Sequence, residues 1–367
     1  MSTVISAGTT TNTAYNVNAD TSGSLVLATG SGPTTAVTID SSQNTTLAGS
    51  LNAPNTFGFK NRIINGAMMI DQRNSGAAQT ITTGTFPYTV DRWFASAAGA
   101  NVTGQRVAGS GNNQNNYQFT GAASNTAISF TQRIESNNCY DLAGQTVTLS
   151  LNLANSLLTS VSYSIAYPTT TDNYAGATII TTGTFTVNST LTNYSVQIAI
   201  PAAATTGLQI SLSVGSQTTG TWTIGKVQLE KGSTATSFDY RPYGTELQLC
   251  QRYFYTCCLF NYGTNGYYQG YYGGSNALWN IRYPVQMRTT PTATISQPTQ
   301  VQYYSQGGVW TNTTIQLASY NTGPNYNAGM TDLTVYVASD SSGGGKLIYL
   351  TGGATTTLPT IAISSEL

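Results

Sequence analysis

Thirteen carboxylates and no histidine limit the chemistry open to this chain. Without imidazole there is no Ser-His-Asp or Cys-His nucleophile. The usual zinc ligand sets and the commonest general base near neutral pH are missing too. One hydrolytic chemistry stays open, in which two carboxylates about 5–9.5 Å apart cleave a glycosidic bond. Its candidates are Asp71, Asp91, Glu135, Asp141, Asp172, Glu230 and Asp239, and no spacing pairs any two of them. Gly343-Gly344-Gly345-Lys346 matches a phosphate loop only superficially. The first glycine is misplaced and Leu347 follows the lysine, so a hairpin turn is the simpler reading. No cofactor motif is present. Asp side chains and loop carbonyls can hold calcium, but no spacing here marks a metal site.

Recognition chemistry is better supplied. Tyr262, Tyr267, Tyr268, Tyr271, Tyr272 and Trp279 fall close together, interleaved with Asn265, Gln269 and Asn276. Sugar rings pack their C–H faces on such aromatics, and amides and phenols take their hydroxyls. No charge occurs over residues 289–331, so an uncharged glycan suits this region. The same aromatics would also fill a subunit interface or the core of a C-terminal domain. Exposure of Tyr267–Tyr272 distinguishes the two readings.

The elements that position these groups follow from composition. The chain has 367 residues, of which 7% are charged, against roughly 25% in ordinary globular proteins. Its polarity comes from Thr, Ser, Asn and Gln, and it carries 24 Tyr. Disorder is accompanied by high net charge and few aromatics; here the net charge is zero. Thr, Val, Ile and Tyr suit a pleated, half-buried surface, so the chain reads as all-β. Zero net charge with scattered basic residues excludes nucleic acid as a partner. No run of about 18 apolar residues spans a membrane. The opening Met1-Ser2-Thr3-Val4-Ile5-Ser6 lacks the features of a secretory leader, so assembly in a cytoplasm is expected. There, Cys139, Cys250, Cys257 and Cys258 read as small buried hydrophobes.

Residues 1–59 hold short alternating stretches around 24–27, 36–39 and 46–51, with turn residues between them. Strands this short need partners, so an intertwined or solenoid-like shaft is expected; a polar tether is the other reading. Residues 60–244 carry many short alternating runs, among them 127–130, 146–151, 208–212 and 222–229. That is the pattern of a β-sandwich or jelly roll. Thr245-Glu246-Leu247-Gln248 has the form of a capping box, and Leu247, Cys250 and Phe254 share a helical face. A connector helix is therefore expected over 245–256, followed by a C-terminal β domain over 257–367.

Several strings then resemble a known family. They are Phe59-Lys60-Asn61-Arg62-Ile63-Ile64-Asn65-Gly66-Ala67-Met68, with Ile70-Asp71-Gln72-Arg73-Asn74; Tyr88-Thr89-Val90-Asp91-Arg92-Trp93; Gln132-Arg133-Ile134-Glu135; Val227-Gln228-Leu229-Glu230-Lys231-Gly232; Phe238 with Arg241-Pro242-Tyr243; Glu246-Leu247 with Cys250-Gln251-Arg252-Tyr253; Met287-Arg288-Thr289-Thr290-Pro291-Thr292; and Ser365-Glu366-Leu367. In order and spacing they are similar to the tail-fibre and receptor-binding proteins of tailed bacteriophages, including cyanophage-like ones, from about residue 57 onward. Asp40-Ser41-Ser42-Gln43-Asn44 looks like the shaft repeats of such fibres. The resemblance implies a central domain like galactose-binding-like carbohydrate-binding modules, a homotrimer, and a place on the virion. Tail or baseplate proteins would be its partners through the N-terminus, and a host-surface glycan at the far end. It names no sugar and transfers no binding residue. Rare charges in a polar β protein are best kept paired. Asp91 with Arg92, Arg133 with Glu135, and Glu230 with Lys231 are therefore candidate structural ion pairs. The chain is expected to be a non-enzymatic adhesin. A purely structural capsid or baseplate fibre, or a decoration protein, is the main alternative, and a depolymerase the minor one.

Overall fold

The computed structural model describes residues 23–29, 34–48, 59–109, 114–258, 268–273, 276–296, 301–304, 310–313, 316–318, 332–337, 348–352 and 360–367. The chain forms two compact units that divide between Pro54 and Asn55.

The first unit is a three-stranded antiparallel meander of β1 (Leu25–Thr29), β2 (Thr34–Ile39) and β3 (Thr45–Leu47). Leu25 pairs with Ile39, Leu27 with Val37, and Val37 with Leu47. The period of two then places these five apolar residues on one face. The β2–β3 turn is made by Asp40, whose Oδ1 accepts the backbone N–H groups of Ser42 and Asn44, both at 2.9 Å. The Asn44 side-chain and backbone bonds hold this carboxyl below its ordinary pKa. Gln43, at φ 67°, completes the turn.

The second unit is built on a sandwich of two antiparallel sheets, as the alternating runs predict. One sheet has the order β11 (Asn173–Thr186), β10 (Ser160–Thr170), β13 (Leu208–Val214), β8 (Ala127–Ile134), β5 (Trp93–Ala98). The other runs β12 (Thr192–Ala199), β9 (Thr146–Asn155), β14 (Thr221–Lys231), β7 (Asn115–Thr120), β6 (Val102–Ala108), β4 (Gln79–Ile81). Alternation decides the core. Leu208, Ile210, Leu212 and Val214 point inward from β13, and Ile128, Phe130 and Ile134 from β8. Trp93 stacks on Phe130 at 4.6 Å between ring centroids, Phe130 on Tyr117 at 5.1 Å, and Phe119 on Trp222 at 5.3 Å.

Helix α1 spans Tyr243–Gln251, with Pro242 at its N-cap. The expected capping box at Thr245 does not form, because Pro242 starts the helix earlier with its φ already near the helical value. Glu246 instead turns inward, accepting the backbone N–H of Asn65 and pairing with Arg241 at 3.2 Å. Phe254 lies beyond the helix, in β15 (Phe254–Cys258). That strand forms a three-stranded sheet with β24 (Thr360–Ser364) and β18 (Thr292–Ile295). A seven-stranded sheet completes the C-terminal region. Its order is β20 (Trp310–Thr313), β19 (Val301–Tyr304), β23 (Ile348–Gly352), β16 (Tyr268–Gly273), β17 (Asn276–Arg282), β22 (Asp332–Val337), β21 (Gln316–Ala318). Among the described residues no helix is long and apolar enough to cross a membrane.

Candidate functional site

The expected aromatic cluster falls partly on β16 and β17. Tyr268, Gln269, Tyr271 and Tyr272 lie on β16; Asn276 and Trp279 lie on β17. The backbone register sets Gly270 opposite Trp279 and Tyr271 opposite Leu278. Tyr262, Asn265 and Tyr267 lie outside the described residues.

A different concave surface is defined atom by atom. It is a cleft of about 450 Å³ on the outer face of the five-stranded sheet. Its floor comes from strand alternation. Where even residues of β8 and β13 enter the core, Ser129, Thr131, Arg133, Gln209 and Ser211 face outward. Register then lines them up across strands: Phe94, Thr131, Ser211 and Ser164 form one rung, and Ser96, Ser129, Ser213 and Ser162 the next. Neighbouring hydroxyls touch, with Ser96 Oγ 2.7 Å from Ser129 Oγ and Thr131 Oγ1 donating to Ser211 Oγ at 3.0 Å.

One wall is aromatic. Phe86, Tyr88 and Phe94 line it, and Phe86 is 67% exposed. Tyr88 meets Phe94 edge to face at 5.6 Å. Arg133 lies over the Phe94 and Tyr174 rings at 5.0 and 4.8 Å. It donates from Nε to Gln209 Oε1 at 3.1 Å and from Nη1 to the Leu367 carbonyl at 2.7 Å. Tyr88 Oη donates to the same carbonyl at 3.0 Å. Burial, reinforced by the Glu366 carboxylate, pushes the Tyr88 phenol up to about 12. Burial also lowers Arg133 from its ordinary value. The cleft can therefore offer a ring face, a row of neutral hydroxyls, an amide, a phenol that stays protonated and one guanidinium, that of Arg133. Its aromatic side was not singled out from the sequence. The available signal was the run Phe86-Pro87-Tyr88 with Phe94, flanking strands whose alternate residues are Ser and Thr.

Apart from Arg133, the rare charges lie outside the cleft, and the partners of the paired ones differ from the adjacent ones expected. Arg73 bridges Asp91 at 3.2 Å and Glu366 at 3.0 Å. Arg92 pairs with Glu366 rather than with Asp91, and its guanidinium covers the Tyr253 ring at 3.5 Å. Burial alone would lower Arg92, but the Glu366 carboxylate and smaller contributions from Tyr253, Tyr88 and Cys250 together raise the group. Glu135 pairs with Arg252 at 2.9 Å and accepts Tyr253 Oη at 2.9 Å, so Arg133 is not its partner. Glu230 accepts Thr236 N at 2.8 Å, Thr236 Oγ1 at 2.6 Å and Gln228 Nε2 at 2.9 Å. Lys231 is exposed and makes no ion pair among the described residues. The reason is geometric: successive strand residues face opposite sides of a sheet, which separates Glu230 from Lys231. Apart from Arg241 with Glu246, the paired charges here come from segments well separated in sequence.

The uncharged polar members of the motifs are also internal. Asn61 accepts Ile63 N and Leu229 N, both at 3.0 Å, and donates to the Val227 carbonyl at 3.1 Å. Gln132 bonds both N–H and C=O of Ile64, at 2.9 and 2.8 Å. Of the seven acids considered for glycoside cleavage, none lines the cleft. Asp71 caps the 71–76 turn, Asp141 pairs with Arg62 at 2.7 Å, Asp172 accepts Ser136 N at 2.7 Å, and Asp239 accepts Asn61 N at 3.2 Å.

No family model and no curated protein sequence matches the chain. Among solved structures it is similar to a CBM4 module, with 18% identity, a TM-score of 0.31, and coverage of 46% of this chain and 98% of that one. The enzymatically active domain of tailspike protein 4 of bacteriophage CBA120 aligns at 16% identity and a TM-score of 0.32, over 47% of this chain and 22% of that one. The CBM22-2 xylan-binding domain of Paenibacillus barcinonensis Xyn10C aligns at 16% identity and a TM-score of 0.28, over 38% and 92%.

Proposed function

We propose that this chain is an adhesin of a tailed-bacteriophage fibre, whose sandwich holds a host-surface glycan in the cleft beside β5 and does not cleave it. The observation that carries the reading is the juxtaposition of an aromatic wall, whose Phe86 is exposed, with cross-strand rungs of hydroxyls on one open face. Such a surface stacks a sugar ring while exchanging hydroxyl hydrogen bonds at little desolvation cost. The family-like strings support the placement on a virion, with the N-terminal unit as the attachment end. The seven candidate carboxylates lie outside the cleft and are held by bonds within the fold, which supports binding without turnover.

A structural virion component is the second reading. It is favoured by the family-like strings themselves, whose polar residues are spent on internal bonds. Binding of the full chain to host cells and to a glycan array separates the two. Saturable binding that falls about tenfold in Phe86→Ala, with an unchanged melting curve, supports the cleft. An intact protein that binds no glycan overturns it. Release of reducing ends would instead assign a depolymerase.

A further inference from the structure

Seven arginines lie between Arg62 and Arg252, and six of them have a carboxylate partner. Arg62 pairs with Asp141, Arg73 with Asp91 and Glu366, Arg92 with Glu366, Arg106 with Asp71, Arg241 with Glu246 and Arg252 with Glu135. The seventh is Arg133. Among the described residues no Asp or Glu carboxylate reaches it. It is also the arginine that lines the cleft.

The Arg133 guanidinium is oriented before any ligand arrives. The Phe94 and Tyr174 rings lie against it, and Gln209 Oε1 and the Leu367 carbonyl take up Nε and Nη1. Nη2 has no acceptor among the described residues. Unlike the unpartnered Nε atoms of Arg62, Arg92 and Arg241, it is not shut away from solvent. Arg73 and Arg92 share Asp91 and Glu366 between them, which leaves Arg133 no counter-ion from either. Burial, and the like charge of Arg92, disfavour its charged form. A half-buried cation with an open N–H edge is completed by an anionic acceptor, and a guanidinium matches the planar carboxylate.

We propose that the cleft recognises an acidic glycan, with the carboxylate of a sugar acid accepting from Arg133 Nη2 while the ring lies against the aromatic wall. The inference rests on the cleft reading above and narrows its ligand class. Arg133 stands opposite Gln209, one rung beyond Thr131 and Ser211, so a ring over those hydroxyls has its substituents beside the guanidinium. The rest of the polar lining is neutral: Tyr88, Ser129, Thr131, Gln209 and Ser211. One cation in a neutral cleft, on a chain of zero net charge, suits a single carboxylate. A densely sulfated or phosphorylated chain needs a basic patch.

The test is binding of the full chain to an array that carries each carboxylated glycan beside its carboxyl-reduced form, for wild type and Arg133→Gln. Wild type should bind a sugar-acid glycan about tenfold more tightly than the reduced form, the effect of a hydrogen bond to a charged group. In Arg133→Gln the two forms should bind alike; a loosened fold would weaken both and keep the preference. Added salt should narrow the wild-type preference. Equal binding of both forms by wild type, or binding confined to neutral or sulfated glycans, would overturn this inference and leave the cleft reading standing. A preference that survives in Arg133→Gln would overturn the assignment to Arg133. No binding of either form overturns the cleft reading and this inference with it. If Arg133→Gln unfolds, the wild-type comparison decides the ligand class, and Arg133→Lys, which keeps the charge but loses the planar fork, should show a reduced preference.

Discussion

Replacing Asp91 by Asn should change how stability depends on pH, and the sign is opposite to that of a typical paired carboxylate. Asp91 is fully buried. Its Oδ1 meets Arg73 at 3.2 Å and accepts Gln72 N at 3.2 Å. Burial nevertheless dominates, and raises its pKa from 3.8 to about 6; Arg73 and Gln72 offset part of that rise, and the Glu366 carboxylate adds to it. The folded state thus holds a proton that the unfolded chain releases between about pH 4 and 6. Stability falls as pH rises wherever the native state binds more protons. At 1.36 kcal/mol per unit, the shift amounts to about 3 kcal/mol in all, most of it lost across that window. The contribution of this group is fully present below about pH 3 and gone above about pH 7. Urea unfolding at a series of pH values, followed by fluorescence of the buried Trp93 and Trp222, would measure it. Subtracting the Asp91→Asn curve removes every other titrating group. The difference should change by about 3 kcal/mol between about pH 3 and 7, roughly two thirds of it between pH 4 and 6, and be flat above that range. Parallel curves would refute the reasoning, showing that Arg73 compensates burial completely.

Other substitutions probe the packing of the motifs. A Cβ at Gly66 would sit 2.1 Å from the Val227 carbonyl oxygen, which is held by Asn61 Nδ2; Gly66→Ala should destabilise by about 3 kcal/mol, seen as a lower melting temperature. Asn61→Ala strands two buried N–H groups and a carbonyl, and should cost about 3 kcal/mol in the same assay. Cys139, Cys250 and Cys257 are buried, and burial pushes the Cys139 thiol up to about 12. An aromatic disulfide reagent at pH 8 should therefore modify at most one thiol in the native protein and four after unfolding. Faster native labelling would show that the α1 region opens.

Local properties of this chain were legible without coordinates. Alternation in 146–151, 208–212 and 222–229 names β9, β13 and β14 because a strand repeats every two residues whatever it packs against. The shortage of charge and the absence of histidine exclude whole classes of chemistry by residue type alone. A helix near 245–256 was also legible, though its start moved to Tyr243 because Pro242, not Thr245, caps it.

Tertiary structure decided the pairings. Arg73 and Arg92 reach Glu366, and Arg252 reaches Glu135, across separations that no local pattern encodes. Low charge density favours this: a buried ion needs a counter-ion or several hydrogen-bond donors, and the few counter-ions available come from whichever segments the sheets bring together. The same holds for the cleft. Phe86 and Tyr88 precede β5, while Ser129, Thr131 and Ser211 belong to β8 and β13. Only the order β13, β8, β5 sets them on one face. Sequence period fixes which residues leave the core; strand order fixes which of them meet.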